Sequence, residues 1–136
     1  MSFMAIRLIA AFLVLAGIAV FAIWGMNLAG GAFANGLFVY RDGNYPILHL
    51  AAEFLMAGAA LAAGIALWAN VRWGRGLALF ALGTLAYSGI NSLGWALHND
   101  PTQAIPMGLT LLGVALGAPY LLRHKGCEDK PLKEEF

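Results

Sequence analysis

Apolar residues run almost unbroken through four stretches of this chain, Leu8–Leu28, Ile47–Ala69, Gly76–Leu97 and Ile105–Leu122, and polar residues collect between them. Each stretch is close to the ~20 helical residues that cross a hydrocarbon core of about 30 Å. None shows the apolar–polar alternation of a membrane barrel strand. Helices satisfy their own backbone where water is absent, so the pattern predicts four spanning helices, about 4–28, 46–69, 74–98 and 103–123. The fold class expected is an all-α integral membrane protein, a four-transmembrane-helix antiparallel bundle. Its membrane domain takes up residues 1–123, with an outer connection 29–45 and a flexible tail 124–136.

Punctuation along the chain agrees with those limits. Pro46 suits a first helical turn, where its missing N–H costs nothing. Asn70–Arg75 is too short to do more than reverse the chain, which makes helices 2 and 3 antiparallel neighbours. Pro101 blocks continuation of helix 3 past His98-Asn99-Asp100. The connection 29–45 is long for a bundle, and Asp42-Gly43 between Phe38-Val39-Tyr40 and Tyr45 is a hairpin signal. An ordered lid and a plain loop are both open there. Met1–Arg7, the first apolar run and Ala32-Phe33-Ala34 loosely imitate a cleaved signal peptide, but the apolar run is longer than the roughly 7–15 residues expected of one. Retention of helix 1 is the expectation.

Charge then orients the bundle. Arg7, Arg72, Arg75, Arg123, Lys125, Lys130 and Lys133 fall before helix 1, between helices 2 and 3, and after helix 4, whereas only Arg41 lies on the other side. Lys and Arg collect in cytoplasmic loops, which places both termini in the cytoplasm and 29–46 and 98–104 outside. Trp24, Tyr45, Trp68, Trp73 and Tyr120 stand near segment ends, as interfacial aromatics do. The plasma (bacterial inner) membrane is the expected location and the lipid bilayer the first partner.

Composition excludes more than it identifies. With 61% hydrophobic and 11% charged residues the chain lies far from a soluble domain. A net charge of +1 offers no field for nucleic acid. Cys127 is the single cysteine, so disulfide frameworks and thiolate zinc sites within one chain are excluded. Gly113-xxx-Gly117 on helix 4 and the small-residue run 57–64 on helix 2 are packing or association faces, and a homo-oligomer or a larger membrane partner is expected to use them.

Glu53 is the one charged side chain inside an apolar segment, and carboxylates at membrane depth are rare and face a bundle interior. His49 precedes it by one turn, on the same face. On helix 3, Thr84, Ser88, Asn91, Trp95 and His98 form a stripe at three-four spacing. Counted from the outer ends at about 1.5 Å per residue, Glu53 and Asn91 lie at equal depth, each roughly 9 Å inside. Thr110 on helix 4 lies at a similar level. His49 and His98 form an upper rung with Asn27 and Gln103, and Trp24 and Trp95 are candidate walls.

Three uses of these residues follow. One is a pocket around His49, Glu53, Ser88, Asn91, Trp95, His98 and Thr110 that binds or moves a small apolar or amphipathic molecule, coupled to protonation. The second is helix docking in an accessory subunit, a neutral Glu53 bonding Asn91. The third is a metal site from His49, Glu53 and His98, or a haem between the two histidines. The sequence requires no cofactor. It contains no serine-nucleophile elbow, phosphate loop or second membrane carboxylate, so the reading leans away from an enzyme. No motif ties the chain to a known family.

Overall fold

The computed structural model describes residues 3–29, 47–99 and 101–123, with the side chains of Asn27, Trp95, Asn99 and Gln103 left out. The connection around Arg41 and Tyr45, the start of helix 2 at Pro46 and the tail with Cys127 lie outside the described residues. The order is α1 (Phe3–Ala29), α2 (Ile47–Trp68), α3 (Gly74–Asn99), a 3-10 turn (Pro101–Gln103) and α4 (Ala104–Arg123). No strand occurs among the described residues. All four α-helices are long and apolar enough to cross a membrane. At about 1.5 Å per residue α1 and α3 reach roughly 40 Å, more than the hydrocarbon core, and α4 roughly 30 Å.

Consecutive helices run antiparallel, and short side chains set how closely they approach. α1 and α2 notch into each other. A Cβ on Gly17 would lie 2.9 Å from the Ala57 carbonyl oxygen, and one on Gly64 would lie 2.7 Å from that of Ala10. Backbones this close need glycine at both crossings. Gly89 receives Leu111 across the α3–α4 seam, while Gly113 and Gly117 lie against Phe12 and Ile9 of α1, closing the bundle. The core is built from Leu13, Leu82, Leu85 and Leu121 interleaved with Ala10, Ala60, Ala63, Ala78 and Ala81. The small faces of α2 and α4, expected to mediate association between chains, are thus used inside this one.

The α2–α3 turn sets the register of the polar residues. Asn70 adopts a left-handed conformation (φ 56°). Its N–H donates to the Leu67 carbonyl at 3.1 Å and that of Val71 to Ala66 at 2.9 Å. This is a Schellman stop with asparagine in the usual glycine place. Gly74 then starts α3 against the Ala66 backbone, where a Cβ would meet the carbonyl carbon at 2.8 Å. Beside this turn the Arg7 guanidinium lies between the Phe3 ring at 4.1 Å and the Trp68 ring at 5.1 Å, tying the start of α1 to the end of α2.

Candidate functional site

Glu53 lies in the second turn of α2 and heads that helix's buried stripe, which continues through Met56, Ala57, Ala60, Ala63, Gly64 and Leu67. The three-four spacing of these positions carries the carboxyl into the bundle with its apolar neighbours. Glu53 is 8% exposed and is the one buried charged or polar residue among those described. Ser88, half-buried near the middle of α3, meets it: Ser88 Oγ donates to Glu53 Oε1 at 2.5 Å. No buried side-chain nitrogen or oxygen among the described residues lacks a hydrogen-bond partner.

One turn toward the far end, away from the 68–74 turn, His49 is exposed and stands edge-on to Trp24, with ring centroids 5.7 Å apart at 74°. Trp24 itself is buried. Phe21 and Phe54 pack at 5.4 Å on the neighbouring turn. Three helices therefore converge at this level. α2 brings the carboxyl and an imidazole, α3 a hydroxyl, and α1 an indole and a phenyl ring.

The remaining candidates are placed elsewhere. Asn91, at the depth assigned to Glu53's partner, is exposed on α3, and Ser88 takes that place. Thr110 turns its hydroxyl back to the Pro106 carbonyl at 3.0 Å, within its own helix. Thr84 does the same to Ala81 at 2.9 Å. His98 is exposed in the last turn of α3. The side chains of Trp95, Asn27 and Gln103 lie outside the described residues.

Among the described residues no three His, Cys, Asp or Glu side chains gather closely enough to hold an ion. His49, Glu53 and His98 do not converge, because the carboxyl is turned to Ser88 while both histidines are exposed.

Arg75 has a role that its place in a loop-like sequence did not reveal. Its Nε donates to the Leu121 carbonyl at 2.9 Å and a terminal nitrogen reaches that of Leu122 at 3.4 Å. These carbonyls belong to the last turn of α4, where helix ends lack partners and carry partial negative charge. The readable signal is a basic residue opening one helix beside the end of its antiparallel neighbour.

Chemically, the buried pair offers one carboxyl and one hydroxyl able to donate and accept, with an imidazole a turn away. Around it is a small chain, helical among its described residues, whose four α-helices are each long and apolar enough to span a bilayer. The chain belongs to the family described as Domain of unknown function (DUF8058), whose model matches residues 3–126. No curated protein and no solved structure shows a significant match to it.

Proposed function

We propose that the protein is a four-span membrane protein of the plasma membrane that binds, and moves or presents, a small amphipathic molecule at Glu53. Protonation of the carboxyl is coupled to occupancy. The burial of Glu53 against Ser88, with His49 and Trp24 a turn above, carries this reading. An intramembrane carboxyl is retained at a cost of a few kcal/mol, which points to use rather than accident. Arg7, Arg72, Arg75 and Arg123 all fall at the end holding the 68–74 turn, which supports cytoplasmic termini and a site in the outer half.

Infrared-detected titration of the protein in bilayers tests the proton coupling. A working site gives a carboxyl band that changes with external pH, disappears in Glu53→Gln and moves in Ser88→Ala. A Glu53 band constant at every pH rejects it.

The second reading, an accessory subunit in which the pair only docks helices, is favoured by the directness of the α2–α3 bond. It predicts co-purification with a larger membrane partner in mild detergent and unimpaired assembly by Glu53→Gln.

A further inference from the structure

One face of α3 is turned away from the other helices. Phe80, Gly83, Tyr87, Ile90, Gly94 and Leu97 follow one another at spacings of three and four, and all are exposed. The large members are 61–75% exposed, and a Cβ on Gly83 or Gly94 would meet nothing within 4 Å. A 3.5-residue repeat keeps such positions on one line along a left-handed pair of helices. An apolar stripe alone would suit lipid. Asn91 on its flank and the Tyr87 hydroxyl within it do not.

Asn91 lies eight residues before the end of α3, about 12 Å along it, and Tyr87 near its midpoint. With α3 roughly 9 Å longer than the hydrocarbon core, both polar groups stand at hydrocarbon depth. A primary amide left unpaired there costs several kcal/mol. Neither side chain has a hydrogen-bond partner within the chain among the described residues, in contrast to Ser88, Thr84 and Thr110, which all do. Among the described residues nothing in the chain meets them, whereas a second chain against this face would bring polar groups to the same depth.

We propose that a second copy of this chain covers the stripe, α3 against α3. Copies inserted with the same topology meet about a two-fold axis along the membrane normal, so each residue faces its own counterpart at its own depth. That geometry selects side chains that satisfy themselves. The amide of Asn91 both donates and accepts, so two of them close a reciprocal pair, and the Tyr87 hydroxyl can donate one turn below. Gly83 and Gly94 leave room opposite for Phe80, Tyr87 and Leu97 to interlock. The Glu53–Ser88 pair lies on another side of α3, so the dimer keeps two separate sites. This inference rests on the membrane-spanning reading but not on Glu53 having a ligand.

Cysteine crosslinking in native membranes tests it, in the full chain with Cys127→Ser. Gly83→Cys and Ile90→Cys are expected to form disulfide-linked dimers under mild oxidation, while Leu116→Cys, equally exposed on α4, stays monomeric. In a dilution assay in bilayers, Asn91→Leu weakens association roughly three- to twentyfold, and Asn91→Gln retains most of it. Helicity measured on each variant separates weakened association from misfolding. Crosslinking no greater on α3 than on α4, or α3 crosslinks only to a different protein, overturns the proposal.

Discussion

Removing the hydroxyl of Ser88 isolates the polar contact on which the site depends. In Ser88→Ala the Glu53 carboxyl stays on the buried stripe of α2 but loses the donor recorded at 2.5 Å. Interhelical hydrogen bonds in membrane proteins average about 0.6 kcal/mol and reach about 1.7. A buried polar group deprived of its partner tends toward about 1–3 kcal/mol. At 8% exposure Glu53 has little water to turn to, so a loss of about 1–2 kcal/mol is expected. Glu53→Gln keeps a carbonyl oxygen for Ser88 and should lie within about 0.5 kcal/mol of the parent. Combining Glu53→Leu with Ser88→Ala leaves no orphan, so the double variant should lose less than the two single losses added. The expected coupling is about 1 kcal/mol. Reversible unfolding in mixed micelles, followed by loss of helical circular dichroism, measures all four corners of the cycle. Coupling below about 0.3 kcal/mol, the level of independent sites, would refute the contact as described.

Other parts of the fold make separate predictions. Gly64→Ala drives a Cβ to 2.7 Å from the Ala10 carbonyl oxygen, and this overpacking of about 1–3 kcal/mol outweighs the ~1 kcal/mol that alanine gains in a helix. Gly58→Ala, with nothing within 4 Å, should instead stabilise by about 0.5–1 kcal/mol, so thermal denaturation shifts in opposite directions for the two variants. Asn70→Val puts a β-branched residue at φ 56° and should cost at least about 1–2 kcal/mol in the same assay. Arg75→Met keeps an apolar stem but drops the bonds to Leu121 and Leu122. Hydrogen exchange should accelerate in the last turn of α4 while the centre of α2 stays unchanged.

The four helices, each long and apolar enough to span a membrane, were legible because length and apolarity are properties of each segment alone. The burial of Glu53 was legible too, since its spacing from Ala57, Ala60 and Gly64 gives it the same face as residues that must pack. What failed was the register between α2 and α3. Counting inward from Ile47 and Leu97 pairs Glu53 with Asn91, which assumes that those two ends lie level. The tight turn fixes the register instead: Gly74 lies against Ala66, and extending that antiparallel pairing to Glu53 arrives within one residue of Ser88, its observed partner. The difference of three residues rotates α3 enough to put Asn91 outside. The glycines of α2 and α4 illustrate a second limit. Sequence marks them as close-approach points but not whether the approaching helix belongs to the same chain, and here Val14, Phe12 and Ile9 supply it.

Native mass spectrometry of the protein extracted gently from its own membrane tests the proposed site most directly. The account predicts a bound small molecule, distinct from bulk lipid, that is lost in Glu53→Ala and reduced in His49→Ala while both variants keep their helicity. The same mass retained in Glu53→Ala, or a chain carrying only ordinary lipid in every form, would contradict it and leave the Glu53–Ser88 pair as a helix-docking contact.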